Sequence, residues 1–408
     1  MKNLVPKRRF KGFAGSWEKR KLGSIAGKIY GGGTPRTTID KFWNGDIPWI
    51  QSSDLTDGKV FDITPNKMIT MPGLNNSATK LVPGNSIAVI TRVGVGKLAL
   101  MPFPYTTSQD FVSLSRLNIN PWFGVYSCYK KLQGESYAVQ GTSIKGITKD
   151  ELLEKSISIP SINEQEQLGN FFKQLDNLIT LHQHKLDKLG DIKSAYLYEM
   201  FPQEGELYPK RRFAGFTEPW EKRRLGELGE IQSGIGFPEA EQGGTGGVPF
   251  FKISDMNNLG NEHKMVTSNN YVNDEQLQRR KWKPIESIPA VIFAKVGAAI
   301  MLNRKRLVCT PFLIDNNTMA YSFGEAWDTN FGKVLFETIN LPQYAQVGAL
   351  PSYNGLDIKN IEVTLPRKDE QEYIGGFFEN LDNLITLQQR KLEKLEALKE
   401  AFLNEMFV

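Results

Sequence analysis

Two segments of the chain carry apolar residues at the spacing of an amphipathic helix. They run from about Asn163 to Met200 and from about Asp369 to Met406, contain no proline, and place their apolar residues on one face. A stripe of this width, sustained over roughly five heptads and present twice, predicts two long helices packed on each other as a coiled coil. The packing positions are Leu168, Phe172, Leu175, Ile179, Leu186, Leu189, Ile374, Phe378, Leu381, Ile385, Leu392 and Leu395.

The same spacing places Leu178, Leu384 and Leu398 on the packing faces. An alternative remains open, in which each helix packs only on its own globular domain. At 1.5 Å per residue, about 38 residues span on the order of 57 Å. Helices of this length can hold two domains apart.

The segments that precede the two helices have a different pattern. Each is about 160 residues long and rich in glycine, proline, β-branched and aromatic residues. Short strand-like runs such as Ser86–Thr91 and Ala290–Ala294 are separated by turn signals and predict strands. Each segment is therefore predicted to be an α/β or α+β domain with a mixed sheet.

The two halves of the chain share their flanks but not their middles. Pro6–Gly23 recurs 203 residues later as Pro209–Gly226, and Leu175–Leu181 recurs 206 residues later as Leu381–Leu387. Between these flanks only scattered similarities remain. A duplicated frame with diverged contents indicates one scaffold that holds two modules of different specificity.

Composition narrows the class of protein. A chain of 408 residues predicts two or more domains, and a net charge of +5 permits a polyanionic partner without requiring one. Cys128 and Cys309 are too few for a disulfide framework or a zinc site. No apolar signal segment and no run of about 18 apolar residues occurs, so we expect a cytoplasmic protein with no membrane partner.

The common catalytic motifs are missing from the sequence. Gly94-Val-Gly-Lys97 lacks the length and the hydroxyl residue of a phosphate loop, and Gly31-Gly-Gly33 precedes Thr-Pro instead of a helix start. We find no GxSxG, HExxH or amino-methyltransferase signature. The expectation is a non-catalytic protein without a bound metal or cofactor, with a hidden active site as the alternative.

Basic and aromatic residues alternate at the start of each half. Lys7, Arg8, Arg9 and Lys11 are interleaved with aromatic side chains, and a similar cluster begins at Lys210. Such cations can neutralise phosphates while the aromatics anchor the segment. We interpret these basic arms as structural positioning elements more than as base-recognising elements.

These motifs together resemble the specificity subunits of type I restriction-modification enzymes. The resemblance rests on the Phe-x-Gly-Phe-x-x-x-Trp-Glu opening of each half, on Tyr30-Gly-Gly-Gly-Thr-Pro35, and on Glu164-Gln165-Glu166 with its repeat at Glu370-Gln371-Glu372. It covers essentially the whole chain. The second half departs from the pattern, with Ser233-Gly-Ile-Gly-Phe237 in place of Gly-Gly-Thr-Pro.

The resemblance implies two target-recognition domains, residues 1–160 and 202–366, and two helical spacers, residues 161–201 and 367–408. It implies double-stranded DNA as the ligand, with two methylation subunits and two translocating restriction subunits as partners. S-adenosylmethionine and adenine N6 methylation would belong to the methylation subunits. Alternatives are a bivalent scaffold that binds no DNA, and a chain that itself methylates or cuts DNA.

Duplex DNA has local twofold axes, so two recognition domains on antiparallel helices could bind the halves of a split target. Base edges are recognised by directional hydrogen bonds from side chains such as Arg, Lys, Asn, Gln and Ser. The predicted DNA-binding residues of the first domain are Arg36, Gln51, Ser52, Ser53, Arg92, Lys97, Gln109, Thr142, Ser143 and Lys145. Those of the second domain are Lys252, Ser254, Lys295, Asn316, Ser352, Tyr353 and Asn354.

Overall fold

The structure is a computed structural model that describes residues 4–92, 94–136, 146–346 and 350–408. The chain divides into two compact units: unit 1 comprises Met1–His184 and Arg390–Val408, and unit 2 comprises Lys185–Gln389. The helices are α1 (Met71–Asn75), α2 (Pro121–Ser136), α3 (Lys149–Glu154), α4 (Ile162–Glu199), α5 (Leu225–Leu228), α6 (Asp274–Arg280), α7 (Thr329–Thr338), α8 (Gly355–Lys359) and α9 (Lys368–Met406).

The strands of unit 1 are β1 (Glu18–Lys21), β2 (Ala26–Gly31), β3 (Trp43–Ile50), β4 (Lys67–Ile69), β5 (Ser86–Ile90), β6 (Leu98–Met101), β7 (Thr106–Thr107), β8 (Phe111–Leu117) and β9 (Ser156–Ile159). Those of unit 2 are β10 (Glu221–Arg224), β11 (Gly229–Ser233), β12 (Val248–Phe251), β13 (Tyr271–Val272), β14 (Ala290–Ala294), β15 (Lys305–Val308), β16 (Leu313–Ile314), β17 (Thr318–Phe323) and β18 (Glu362–Leu365).

Unit 1 contains a four-stranded antiparallel sheet in the order β2, β8, β5, β6. A three-stranded sheet in the order β4, β3, β7 is mixed, because β3 runs antiparallel to β4 and parallel to β7. Every residue of β5 is buried, which explains why its residues 87–90 form a continuous apolar run and not an alternating one.

Unit 2 repeats this topology strand for strand. Its sheets have the orders β11, β17, β14, β15 and β13, β12, β16, with the same parallel pair between the second and third strands of the smaller sheet. The strands predicted from their apolar runs, β5 and β14, occupy equivalent positions. The diverged middles of the two halves therefore fold alike, although their sequences hardly show it.

The long helices run antiparallel within unit 1. The ring of Phe171 near the start of α4 lies 5.2 Å from that of Phe402 near the end of α9, and Phe172 lies 5.4 Å from Phe407. Phe172 also belongs to the core of the first domain. This part of α4 thus packs both on its own domain and on the second long helix.

Unit 2 has the equivalent arrangement with the roles of the helices exchanged. Tyr196 near the end of α4 lies 5.0 Å from Phe377 near the start of α9, and Phe378 lies in the core of the second domain. The predicted mixed-sheet domains and long packed helices are confirmed. The alternative in which each helix packs only on its own domain is wrong.

The packing face is narrower than predicted. Of the predicted packing residues, Leu168, Phe172, Leu175, Ile374, Phe378, Leu381 and Leu392 are buried, whereas Ile179, Leu186, Leu189, Ile385 and Leu395 are half-buried. Leu178, Leu384 and Leu398 were predicted wrongly, since between 46% and 49% of each is exposed. A pair of helices buries mainly the central seam of each stripe, so the flanking leucines stay open to solvent.

The basic arms are bound to the helices. Arg9 donates two hydrogen bonds of 2.7 Å to the two carboxylate oxygens of Glu164, and these bonds raise the pKa of the Arg9 guanidinium. Arg212 makes the same bidentate contact with Glu370, at 2.6 and 2.7 Å. The interpretation of the arms as positioning elements is confirmed for these two arginines.

Among the described residues, no helix combines the length and the apolar character needed to span a membrane.

Candidate nucleic-acid interface

Several strands of unit 1 end at one edge of the domain. Because β3 and β7 are parallel, their carboxyl ends are adjacent, and the Ser108 N–H donates to the Ile50 carbonyl at 2.9 Å. Beyond the end of β5, the Thr91 N–H donates to the Asp110 carbonyl at 2.8 Å. We call this region recognition edge 1; it comprises residues 32–36, 51–54, 91–92 and 108–110.

A glycine permits the close approach of chains at this edge. A Cβ atom added to Gly32 would lie 1.8 Å from the Ser108 carbonyl oxygen, and one added to Gly234 of unit 2 would lie 1.8 Å from the Asp315 carbonyl oxygen. Any side chain at either position would force the backbone apart. The second half thus keeps a glycine where the fold requires it, although it lacks the Gly-Gly-Thr-Pro sequence.

Recognition edge 1 brings most of the predicted residues of the first domain together. Gln51 precedes a short 3-10 helix, and its N–H donates to Asp54 Oδ2 at 2.9 Å. Gln109 accepts a hydrogen bond of 2.6 Å from the Thr34 hydroxyl. Of the predicted residues at this edge, those exposed are Arg36, Ser53, Arg92 and Gln109, and those half-buried are Gln51 and Ser52.

The other predicted residues of this domain are placed differently. Lys97 is half-buried, and its ammonium donates to the Leu55 carbonyl at 3.2 Å. Thr142, Ser143 and Lys145 lie outside the described residues.

Unit 2 forms an equivalent edge from the corresponding strand ends. The Asp315 N–H donates to the Phe251 carbonyl at 3.2 Å, and the Lys295 N–H donates to the Asn317 carbonyl at 2.8 Å. The segment around residue 352 joins this edge through the bridge between Val296 and Ser352. Recognition edge 2 comprises residues 234–237, 252–255, 295–297, 315–317 and 351–354.

All the predicted residues of the second domain lie at recognition edge 2. Ser254, Asn316 and Asn354 are exposed, and Lys252, Lys295 and Ser352 are half-buried. The Lys252 ammonium donates to Gln242 Oε1 at 2.6 Å and lies 5.4 Å from the centre of the Phe237 ring.

Two of these residues have structural roles in the described chain. Tyr353 is only 3% exposed, and its hydroxyl donates to the Ala294 carbonyl, which makes it a packing residue. The Asn354 side chain caps α8 by accepting hydrogen bonds from the N–H groups of Leu356 and Asp357.

The sequence interpretation missed polar residues that complete both edges. Thr34 and Gln242 were not singled out, although each is hydrogen-bonded to a predicted residue. Thr34 could have been found, because a hydroxyl residue directly after a glycine run at a strand end is a natural loop donor. Gln242 lies in a loop without such a signal.

The edges present amides, hydroxyls and cations, which can bond to base edges and phosphates. Asp255 at recognition edge 2 has a structural role. Burial raises its pKa, although hydrogen bonds from the N–H groups of Lys252 and Asn269 oppose that rise.

A separate acidic cluster lies in unit 2. Potential ligand atoms of His263, Glu337 and Asp382 lie within 4.8 Å of one another. The ammonium groups of Lys193 and Lys333 contact both carboxylates. The charge of this cluster is therefore balanced by lysines of the chain itself.

A family model described as the type I restriction modification DNA specificity domain matches residues 15–190 and 217–397. The chain belongs to this family. The type I restriction enzyme MjaIX specificity subunit of Methanocaldococcus jannaschii is 24% identical over 412 residues, covering 96% of this chain and 92% of that protein. The EcoR124I/EcoR124II specificity subunit of Escherichia coli is 33% identical over 172 residues, covering 40% of this chain and 42% of that protein.

Solved structures of this family share the fold. The S subunit of a type I restriction-modification system from M. genitalium matches with a TM-score of 0.67 and 15% identity, covering 99% of both chains. The predicted family is thus confirmed, and with it the prediction that the chain is a non-catalytic DNA-specificity subunit.

Proposed function

We propose that this chain recognises a bipartite duplex DNA target, with one half-site bound at each recognition edge. The observation that carries the proposal is the pairing of two equivalent strand-end edges with unlike side chains. Edge 1 presents Gln51, Arg92 and Gln109, whereas edge 2 presents Lys252 and Asn316. Two domains of the same fold that carry different hydrogen-bonding groups can each recognise a different short DNA sequence.

The antiparallel packing found within each unit supports a split target. Each unit has its own recognition edge and its own antiparallel contact between the same two long helices, and duplex DNA has local twofold axes. In this proposal the two domains recognise opposite strands of two half-sites separated by unspecified bases. The helix pair would then set the separation.

In this proposal the chain also positions partner subunits. Two methylation subunits, which would hold S-adenosylmethionine and methylate adenine at N6, and two restriction subunits would act at the site that this chain selects. The chain supplies sequence choice, and the partners supply the bond-making and bond-breaking groups.

Binding measurements with edge variants test the proposal. Gln51→Ala should relax base choice in one half-site and Ser254→Ala in the other, each at a cost of roughly 1–3 kcal/mol. Lys19→Ala, an exposed cation of β1, is the control and should leave base choice unchanged. If neither edge variant alters base choice at any position, the assignment of the edges to DNA is wrong.

The alternative of a bivalent scaffold that binds no DNA makes a different prediction. A DNA-specificity subunit should bind random duplex DNA with an affinity that falls steeply with salt, because phosphate contacts release counterions. A protein scaffold should show no such binding. Methyl transfer by the isolated chain would instead support the alternative of an enzyme.

A further inference from the structure

Both units contain an ion pair at the same place in the helix pair, formed by a buried aspartate and a lysine whose side chain is at most 15% exposed. In unit 1, Lys399 Nζ of α9 lies 2.7 Å from Asp176 Oδ1 of α4. In unit 2, Lys193 Nζ of α4 lies 2.7 Å from Asp382 Oδ1 of α9. Both the two aspartates and the two lysines are separated by 206 residues, the helix repeat. We call each pair an Asp–Lys node.

In unit 1 the recognition domain completes the node with neutral groups. The Tyr126 hydroxyl of α2 donates to Asp176 Oδ2 at 2.7 Å. The Lys399 ammonium donates to the Gly58 carbonyl at 2.8 Å. The domain thus contacts both members of the helix–helix ion pair.

In unit 2 the recognition domain completes the node with charged groups. Lys333 of α7 donates to Asp382 Oδ2, and Lys193 Nζ lies 2.5 Å from Glu337 Oε2. His263 Nδ1 lies 3.6 Å from Asp382 Oδ2. Lys333 and Glu337 carry opposite charges, so this domain, like the first, adds no net charge to the node.

The two domains therefore contact equivalent ion pairs of the same two helices, one with neutral groups and the other with charged groups. A buried ion pair contributes little net stability over an apolar contact, because desolvation offsets the attraction. Its best-attested use is to fix register between helices. Leucine-rich faces can slide past one another by a turn, whereas a slide here would leave an aspartate and a lysine buried without partners.

We propose that the Asp–Lys nodes are positioning elements that fix the register of α4 against α9 and the seating of each recognition domain on that pair. This inference rests on the proposed function for its consequence. A slide of one helical turn moves the helices by about 5.4 Å, which corresponds to between one and two base pairs at about 3.4 Å each. The nodes thus determine the separation of half-sites that the protein accepts.

The test measures methylation of duplexes whose half-site separation differs from the cognate one by up to two base pairs. The wild-type chain is used in complex with its methylation subunit. The double variants Asp176→Leu/Lys399→Met and Asp382→Leu/Lys193→Met replace each node by apolar side chains. We expect base choice to be kept and the preference for the cognate separation to fall by about tenfold.

Tyr126→Phe is a milder variant that keeps the ion pair and removes only the contact from the domain, and it should lower the same preference by a smaller factor. Lys188→Met and Lys394→Met, equivalent exposed lysines of the two helices, are the matched controls and should keep the wild-type preference. A role in stability alone would lower methylation of all duplexes in proportion.

Two results overturn proposals at different levels. If the wild-type complex has no preferred half-site separation, the proposed bipartite function fails. If the wild type has one and the folded node variants keep it unchanged, the positioning inference fails while the proposed function stands.

Discussion

The contacts between the start of each long helix and its recognition domain are the same in both units, whereas the recognition edges differ. Gln165 accepts from the Asn120 N–H in unit 1 as Gln371 accepts from the Asp328 N–H in unit 2, both at 2.9 Å. At the edges, hardly any predicted DNA-binding side chain is shared. This chain thus keeps the contacts that join the start of each long helix to its recognition domain and varies the side chains at the recognition edges.

The largest effect should follow from breaking a shared contact. Arg212→Met would leave Glu370, which is 1% exposed, without its bidentate partner. Loss of one member of a buried pair costs about 3–5 kcal/mol. Denaturant unfolding should show this loss, and Arg9→Met should behave alike in unit 1.

The exposed pair Arg20–Glu18 provides the control for these arginine variants. Arg20→Met should leave the unfolding midpoint unchanged, because exposed pairs contribute little. Equal behaviour of Arg20→Met and Arg212→Met would remove the distinction between the shared contacts and ordinary surface pairs.

A smaller effect should come from the glycines where a domain helix meets a long helix. A Cβ at Gly375 would lie 2.6 Å from the Phe331 backbone nitrogen and 2.5 Å from Asp328 Oδ1. Gly375→Ala should destabilise the protein by roughly 1–3 kcal/mol through overpacking.

Gly376, the next residue of α9, has nothing within 4 Å of an added Cβ. Gly376→Ala should therefore raise stability by up to about 1 kcal/mol, since alanine is the better helix former. We expect Gly375→Ala to lower the free energy of unfolding and Gly376→Ala to raise it. A loss of stability in both variants would mean that the close approach at Gly375 is not what matters.

The smallest expected effect is on how stability depends on pH, and it arises from His263 of unit 2. Burial lowers the pKa of His263, although the nearby Asp382 carboxylate opposes this, and the Lys333 and Lys193 ammonium groups lower the pKa further. Glu337 also faces the imidazole and raises its pKa.

Because the folded pKa is below the ordinary value of 6.5, the stabilisation from neutral His263 is present above that value. It is lost as the pH falls toward the folded pKa. Between about pH 5 and about pH 7, the free energy of unfolding should change less with pH for His263→Gln than for the wild type. An unchanged slope would contradict this assignment.

The long helices and their contacts with the domains could be predicted from the sequence because their segments occur twice in the chain. A comparison of the two halves was enough to identify Glu164-Gln165-Glu166, Asp176 and their repeats. In the structure these residues of the long helices bind the recognition domains. The helices followed from apolar spacing. Leu178 and Leu384 were misplaced because spacing alone does not say how wide a face the neighbouring helix covers.

The recognition edges were predicted less completely. Arg36, Gln51 and Gln109 meet at one edge because strands distant in sequence pair there, and loop positions beside predicted strands were enough to find them. The burial of Tyr353 depends on the tertiary packing around Ala294, which no local pattern encodes. The same limit hid Gln242.

The most direct test of the central claim is to sequence the methylated positions in a host that expresses this chain with its methylation subunit. We predict two short specified sequences at a fixed separation, and a change confined to one of them when Gln51 or Ser254 is replaced by alanine. A single uninterrupted motif, or a change in both parts from a substitution at one edge, would contradict the account.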